Sequence, residues 1–282
     1  MNKPNLCFYH NADLDGLCSA AIVKKFVPDT EFYGINYGDE FPYDLCKLFE
    51  RIIMVDWTLQ PFKDLLKFGK SHKLTVIDHH KSVAEELRKC PNHNFIGIID
   101  SKKAACELCW EYFSNDDMPR AVKLLGQYDS WRLNEDEWIM PFQFGMRANV
   151  DSFDDPIWGR LFRLFDESKT ILFDIVSIGK GILSYNEIQN KKYCELYAYP
   201  VMFHGYSCWA CNKGQNNSQF FDSLPEHDIS ISYCHTPNKA KQWTVSLYSN
   251  TVDVSEIAKT YGGGGHAGAS GFQCNELPFT KK

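Results

Sequence analysis

Residues 74–80 read LTVIDHH, an apolar and partly β-branched run that ends in one carboxylate and two adjacent imidazoles. Such a run predicts a buried β-strand. Two neighbouring histidines after an acidic residue would be an odd choice for a simple turn. Because His is the commonest metal ligand, a functional role is favoured for Asp78, His79 and His80.

Other apolar runs precede and follow this stretch, namely NLCFYH, TEFYGINY, RIIMVDW and NFIGIID. Helical segments such as LCSAAIVKKF separate them. Strands that are apolar on both faces and alternate with helices predict an α/β fold with a mostly parallel sheet. The first run leads into His10, Asp13 and Asp15, and another ends at Asp56. In such sheets ligands bind beyond the carboxyl ends of the strands, so we expect these polar residues to meet at one edge.

Each acidic residue also has an ordinary structural interpretation. Asp13 or Asp15 could cap the following helix, with Gly16 easing the turn. Asp56 could begin a loop, and Asp129, in LLGQYDSW, could simply end an apolar helix. Taken one at a time, these residues leave both interpretations open.

The residue pattern changes in the second half of the chain. Residues 104–126 and 156–190 have apolar residues at helical spacing, and the second stretch is typical of a connector. After about residue 195 β-rich segments follow, then a helical VSEIAKTYG and the glycine cluster Gly262 to Gly265. We therefore expect a domain over 1–155, a helical connector over 156–194 and a smaller domain over 195–282.

Composition narrows the class of partner. The net charge is -6, from 30 Lys and Arg against 36 Asp and Glu, so no basic field exists to hold a long duplex. A short phosphorylated ligand fits if divalent cations supply positive charge locally. The N-terminus lacks an apolar signal-peptide core and no run of about 18 apolar residues occurs, so we expect neither secretion nor membrane insertion.

Eleven cysteines without a small-domain framework indicate a reducing, cytoplasmic location. Cys106 and Cys109 have the spacing of neighbours on one helix face, which favours core packing. Cys208 and Cys211 form a second CxxC pair. A redox or zinc protein built on these pairs is the less favoured alternative.

These motifs, taken together and in this order, indicate one protein family more specifically than any single motif does. His-x-x-Asp-x-Asp-Gly from His10, the strand-ending Asp56, the Asp78 to His80 triplet and the later Asp129 resemble the DHH phosphoesterase superfamily. The segment from Val252 to Gly271 resembles the DHHA1 domain that accompanies it in oligoribonucleases and cyclic-dinucleotide phosphodiesterases. The resemblance spans essentially the whole chain. It implies a mostly parallel DHH domain joined by a helical connector to a smaller α/β DHHA1 domain, with the active site in the interdomain cleft.

The resemblance also implies roles for individual residues. One metal would be held by His10, Asp13 and Asp56, and a second by Asp15, Asp56, His79 and Asp129, with Asp56 bridging the pair. Asp78 would orient an imidazole, and His80 would face the substrate phosphate as a donor or acid. The two ions, expected to be Mn²⁺ with Mg²⁺ or Co²⁺ as alternatives, would activate a shared hydroxide.

In the DHHA1-like segment, Gly263, Gly264, Gly265 and His266 would contact substrate phosphate. Two positions depart from the family pattern. His10 and Asp13 have two residues between them where family II pyrophosphatases have three, and Tyr248 replaces an expected arginine. A tyrosine there predicts stacking on a base rather than a clamp on phosphate.

The function expected from these features is metal-dependent hydrolysis of phosphodiester bonds in short oligonucleotides or in cyclic or linear dinucleotides. A pyrophosphatase or polyphosphatase, and a non-catalytic nucleotide-binding protein on the same fold, are the alternatives. The sequence leaves open the exact substrate, the cleavage polarity and whether the protein forms an oligomer.

Overall fold

The computed structural model describes residues 3–90, 92–237 and 241–281, without the side chains at positions 3, 4, 266 and 281. The chain divides into two compact units, Met1–Ile182 and Leu183–Lys282. The boundary falls inside one long helix, within the stretch that the sequence predicts as a connector.

The first unit contains the predicted parallel sheet, which confirms the fold class. Its five strands have the order β2-β1-β3-β4-β5 and are all parallel. The strands are β1 (Lys3–His10), β2 (Thr30–Ile35), β3 (Phe49–Val55), β4 (Lys73–Asp78) and β5 (Phe95–Ile99). The helices that begin in this unit are α1 (Leu14–Phe26), α2 (Tyr43–Cys46), α3 (Phe62–Ser71), α4 (Lys81–Lys89), α5 (Ala105–Phe113), α6 (Arg120–Asp129), α7 (Ile139–Asn149), α8 (Ile157–Leu161) and α9 (Phe165–Tyr197).

Strand alternation explains why both faces of this sheet are apolar. Cys7 and Tyr9 of β1 pack in one buried cluster with residues of α1, α5 and α6. Their neighbours Leu6 and Phe8 pack in a second cluster on the other face with residues of α3. Successive strand residues point to opposite faces, so a doubly covered sheet needs continuous apolar runs, as this sequence has.

The second unit is built on a mixed sheet of seven strands in the order β10-β11-β9-β8-β7-β6-β12. These are β6 (Tyr199–Phe203), β7 (Tyr206–Asn212), β8 (Ile229–His235), β9 (Trp243–Tyr248), β10 (Gly264–His266), β11 (Ala269–Cys274) and β12 (Thr280–Lys281), with helix α10 at Val254–Thr260 and a 3-10 turn at Ser218–Phe221. Only β7 and β8 pair in parallel among the described strands of this sheet. Beyond the end of α9, this unit is rich in β-strands and carries the short helix α10, in agreement with the change in residue pattern after about residue 195.

The two CxxC pairs lie in different settings. Cys106 and Cys109 are fully buried in the core of the first unit on α5. Cys208 and Cys211 lie three residues apart on strand β7 and belong to different buried clusters. An odd spacing on a strand directs side chains to opposite faces, so this pair cannot form a local dithiol site.

Among the described residues, no helix combines the length and apolar character that crossing a bilayer requires.

Candidate metal centre

Three adjacent strands of the first unit deliver polar side chains to the same edge. His10 is the last residue of β1, Asp56 directly follows β3, and Asp78 is the last residue of β4. Because β1, β3 and β4 are neighbours and parallel, their carboxyl ends meet. The sequence-based expectation that these positions converge matches the fold.

One group of potential ligand atoms consists of His10, Asp13 and Asp56, whose candidate atoms all lie within 4.8 Å of one another. His10 Nδ1 is 3.2 Å from Asp13 Oδ2 and 3.5 Å from Asp56 Oδ2. Asp13 is also the N-cap of α1, since its Oδ1 accepts a hydrogen bond of 3.0 Å from the Gly16 backbone N–H. Asp13 can therefore cap α1 and also serve as a metal ligand, because Oδ1 accepts the capping hydrogen bond while Oδ2 faces His10.

A second group surrounds His79. Its Nε2 atom is 3.2 Å from Asp129 Oδ2, 3.3 Å from Asp56 Oδ1 and 3.6 Å from Asp15 Oδ2. Asp129 is the last residue of α6 and Asp15 lies in the first turn of α1. Asp56 thus presents one oxygen to each group. Every residue predicted as a metal ligand lies in this cluster, hereafter the acidic cluster: His10, Asp13, Asp15, Asp56, His79 and Asp129.

Asp15 does not cap its own helix but is held by another one. Its two oxygens accept hydrogen bonds of 2.9 and 2.7 Å from the backbone N–H groups of Ala105 and Cys106, at the N-terminus of α5. Helix N-termini favour negative charge, and this one fixes a carboxylate that is buried at 3% exposure.

Asp56 has the most unusual environment of the cluster. It is 1% exposed, yet neither carboxylate oxygen accepts a well-formed hydrogen bond within the described structure. Its φ is 54°, a left-handed conformation that is uncommon outside glycine and enriched in Asp and Asn. Nδ1 of His10 is also buried without a hydrogen-bond partner among the described residues. Buried polar atoms are normally satisfied, so these orphaned atoms fit a site built for a cation.

Asp78 holds the DHH turn together rather than contributing to the acidic cluster. Its Oδ1 accepts hydrogen bonds from the backbone N–H groups of His79 and His80, at 2.7 and 3.1 Å, and lies 2.7 Å from His80 Nδ1. Its Oδ2 accepts a hydrogen bond from the fully buried Thr58 hydroxyl. The pairing with Nδ1 fixes the orientation of the His80 ring and leaves Nε2 free for another partner.

The charges of the cluster shift its pKa values strongly. Burial acts to lower the pKa of His79, but Asp56, Asp15 and Asp129 outweigh it and raise that pKa to about 10. Burial and the negative charge of Asp15 raise the pKa of Asp129 to about 7. Burial likewise raises the pKa of Asp15 and of Asp56. Without an ion, the carboxylates crowd one another and depend on protonated histidines for charge balance.

Tyr37 is a neighbour of the cluster that the sequence did not reveal. Its ring centroid is 5.7 Å from that of His10 and 5.4 Å from that of His80. Burial and the charges of Asp78 and Asp56 raise the pKa of its phenol. The run TEFYGINY predicted a strand, but β2 ends at Ile35, and Tyr37 lies in the turn beyond it. Its position just past a strand end, on the same edge as His10, was the available signal.

The predicted substrate-binding residues of the DHHA1-like segment lie in the second unit. A Cβ at Gly263 would stand 2.1 Å from Gly271 O, and one at Gly265, where φ is 140°, would stand 2.6 Å from Ala269 O. Packing against β11 therefore already demands glycine at both positions, whereas Gly264 faces open space. The role of these glycines in phosphate binding stays a prediction, and the side chain of His266 lies outside the described structure.

Tyr248 of β9 is partly buried. Its hydroxyl donates a hydrogen bond of 3.0 Å to Asn216 O, and its ring packs beside Phe221. It lines a cavity of 330 Å³, together with His227 and Ser230, whose side chains lie 2.6 Å apart. Gly263 lines a different cavity, of 440 Å³. Tyr248 and Gly263 thus line two separate cavities of this unit.

A family model matches part of the first unit. Residues 6–128 match the model described as the DHH family, N-terminal domain. The match confirms, for that segment, the resemblance to the DHH family that its motifs predict. Within this segment and just after it, the acidic cluster offers carboxylate and imidazole groups that could hold a metal ion.

Individual relatives extend the match along the chain. An uncharacterized protein of Acanthamoeba polyphaga mimivirus is 24% identical over 312 residues, covering 99% of this chain and 70% of that protein. The structure of a DHH domain from a member of a family of ribosomal proteins has a TM-score of 0.60 at 13% identity, covering 96% of this chain and 83% of that one. The pGpG-specific phosphodiesterase PggH of Vibrio cholerae has a TM-score of 0.52 at 17% identity, with 96% and 93% covered. At such identities the structural likeness shows the fold alone.

Proposed function

We propose that this protein is a metal-dependent phosphodiesterase that hydrolyses short oligonucleotides or cyclic or linear dinucleotides. The observation that carries the proposal is the carboxylate of Asp56, which is buried, lacks well-formed hydrogen bonds within the described structure, and presents one oxygen to His10 and the other to His79. A buried ionised carboxylate is costly unless it is paired or coordinates a metal.

The residues fit two divalent cations. His10, Asp13 and Asp56 would hold one, and Asp15, Asp56, His79 and Asp129 the other. Oxygen and imidazole ligands suit manganese and magnesium better than the thiolate-preferring metals. When bound, such a pair supplies an acidified water at neutral pH and neutralises charge on the phosphoryl oxygens.

In this proposal His80 contacts the substrate, and Asp78 and Thr58 hold it in position. Asp78 orients His80 through Nδ1, and the same carboxylate, against the effect of burial, raises the pKa of His80. A protonated ring would present its Nε2–H as a donor to a phosphate oxygen or to the departing ribose oxygen. Thr58 supports this arrangement as a positioning residue, because it donates to the second oxygen of Asp78.

Short nucleotide substrates are favoured over long nucleic acid and over inorganic polyphosphate. The net charge of -6 opposes binding of a long polyanion. PggH, which has a similar fold, is described as specific for pGpG, a linear dinucleotide. The alternatives remain a phosphoanhydride hydrolase and a nucleotide-binding protein without turnover.

The test is product analysis by ion-exchange chromatography after incubation with Mn²⁺. The substrates are pApA, pGpG, longer oligonucleotides, cyclic dinucleotides, pyrophosphate and polyphosphate, with a chelator control. His79→Ala removes the ring shared by three carboxylates, and His93→Ala is the matched control, since His93 contacts the Phe95 backbone rather than the acidic cluster.

We expect mononucleotide release from dinucleotides that requires metal, persists in His93→Ala and falls by at least about 100-fold in His79→Ala, the order of loss seen when the support of a catalytic metal is removed. Faster hydrolysis of pyrophosphate or polyphosphate would replace the proposal with a phosphoanhydride hydrolase. Tight nucleotide binding without any turnover would leave a binding protein.

A further inference from the structure

An aromatic cavity of 570 Å³ lies in the first unit next to the acidic cluster. Four aromatic side chains line it, from Tyr37, Phe41, Tyr43 and Trp57. The described residues that line it include no Lys, Arg or His. The cavity therefore offers flat apolar surface and little attraction for a phosphate group.

Two buried, nearly parallel rings form one wall of the cavity. Phe41 and Trp57 are buried at 7% and 3% exposure, and their rings are nearly parallel, with an interplanar angle of 15°. The indole N–H of Trp57 has no hydrogen-bond partner in the described structure. An unpartnered buried donor is unusual, and here it belongs to a side chain that lines an open cavity.

The outer rim is formed by two exposed tyrosines. Tyr37 and Tyr43 are 43% and 48% exposed, although both have large apolar rings. Tyr43 packs edge-on against Phe41, with ring centroids 4.9 Å apart. Exposed aromatic rings gathered around a cavity are a common feature of ligand sites rather than of plain surface.

Tyr37 joins this cavity to the acidic cluster. The same ring that lines the cavity lies 5.7 Å from His10 and 5.4 Å from His80, measured between centroids. A ligand whose phosphate reaches the cluster would thus extend into the cavity with its adjoining group. In a nucleotide, the group one sugar away from the phosphate is a planar base.

We infer that this cavity binds the nucleobase adjacent to the scissile phosphate, by stacking against the Tyr37 and Tyr43 rings. The inference rests on the proposed function and deepens it, because it places substrate recognition partly in the first unit. Every base has a π-face, so stacking makes the site tolerant of base identity. Gln60, on the same rim, carries an amide that can donate to or accept from a base edge.

Tyr43→Leu is the decisive variant, because Tyr43 lines the cavity without lying beside the metal-ligand residues. Tyr37→Leu is the second variant, and Tyr33→Leu is the matched control, since Tyr33 is 38% exposed in the same unit but does not line the cavity. The kinetic constants are measured with pApA and with the same dinucleotide lacking both bases. Thermal unfolding and Mn²⁺ titration establish that each variant is folded and binds metal.

We expect Tyr43→Leu to raise KM for pApA by about 10-fold, the order of effect that loss of one stacked base has. It should leave the base-free substrate unchanged, and Tyr33→Leu should match the wild type on both substrates. Equal KM values for wild type and both cavity variants on pApA would overturn the inference while leaving the phosphodiesterase intact.

A binding measurement tests the base site even if the wild-type protein shows no hydrolysis. Binding of AMP and of ribose 5-phosphate is measured by calorimetry with Mn²⁺ present. A preference for AMP that Tyr43→Leu abolishes would support the base site even if the phosphodiesterase proposal fails. No preference for AMP in the wild type would sink the base site, whatever the outcome of the hydrolysis assay.

Discussion

Asp15 Oδ1 accepts a hydrogen bond of 2.7 Å from the backbone N–H of Cys106, which is 91 residues away in the chain. The first turn of α5 therefore fixes one carboxylate of the acidic cluster before any ion binds. The same turn is capped by Glu107, whose Oε2 accepts a hydrogen bond from Ala104 N–H and an ion pair from Arg132. Arg132 lies three residues beyond Asp129, so this pair ties the Asp129 end of α6 to the helix that holds Asp15.

Arg132→Leu should weaken both stability and metal binding. It leaves the Glu107 carboxylate, 7% exposed, without its cationic partner. Hydrogen bonds to charged groups contribute roughly 1.5–3 kcal/mol, so we expect a loss of about 2 kcal/mol in the free energy of unfolding. Urea denaturation measures the loss, and calorimetric titration should show weaker Mn²⁺ binding because Asp129 is less well positioned.

Lys47→Leu is the control for this experiment. It removes an ion pair of similar geometry with Asp44, but both of those side chains are largely exposed. Surface pairs contribute little, so its unfolding curve should overlay that of the wild type. If Arg132→Leu behaves like Lys47→Leu, the buried pair does not support the site.

Gly16→Ala should displace His10. A Cβ at this position would lie 1.9 Å from His10 O and 2.9 Å from His10 Cβ, so the backbone that carries the imidazole must move. Overpacking of this kind typically costs about 1–3 kcal/mol. We expect a lower thermal midpoint and a weaker affinity for the ion predicted to bind at His10, Asp13 and Asp56.

Gly181→Ala is the matched control, because it lies in α9 and a Cβ there meets nothing within 4 Å. Replacing an unrestrained helical glycine by alanine should stabilise the protein by about 0.5–1 kcal/mol. Opposite signs for the two substitutions would separate the contact with His10 from a general glycine effect. Equal effects would contradict it.

The sequence predicted the sheet and the polar residues at its strand ends because both depend on local patterns. Apolar runs marked the strands, and Asp56 and Asp78 stand where those runs stop. Thr58, Tyr37 and Glu107 were missed, since each acts through contacts that depend on tertiary folding. Thr58, for example, is 20 residues from the Asp78 carboxylate to which it donates. No periodicity in the sequence encodes such a pairing.

Stabilisation by Mn²⁺ should grow with pH. In the metal-free protein the pKa of Asp129 is raised to about 7 and that of His79 to about 10. A raised carboxyl pKa removes stability as pH rises from its ordinary value to about 7, and a raised His pKa removes it from about 6.5 to about 10. The metal-free protein should therefore become less stable across this range.

A cation needs these groups deprotonated, so its binding releases protons and strengthens as pH rises. The increase in thermal midpoint caused by saturating Mn²⁺ should be larger at about pH 8 than at about pH 6. The measurement is differential scanning fluorimetry with and without a chelator, at constant ionic strength. An increase that is the same at both values would show that the acidic cluster is not where the ion binds.

Asp56→Asn should stabilise the metal-free protein while abolishing its response to metal. The substitution removes a charge that is 1% exposed, that lies near Asp13 and Asp15, and whose pKa burial raises. Asparagine tolerates the left-handed φ of 54° at this position, and the backbone N–H keeps its 3.0 Å hydrogen bond to Ile77 O. The backbone should thus remain in place, and the thermal midpoint in chelator should rise.

The gain in stability and the loss of function have one cause. Burial and the charge of Asp13 make an ionised Asp56 costly in the metal-free protein, even with His10 and His79 beside it, and the proposed pair of cations would need this carboxylate as a shared ligand. In Asp56→Asn, Mn²⁺ should no longer shift the midpoint, and dinucleotide hydrolysis should be lost. Asp44→Asn, at an exposed surface position, should change neither quantity. A variant that is less stable than the wild type in chelator would mean that the Asp56 charge serves the fold and not a metal.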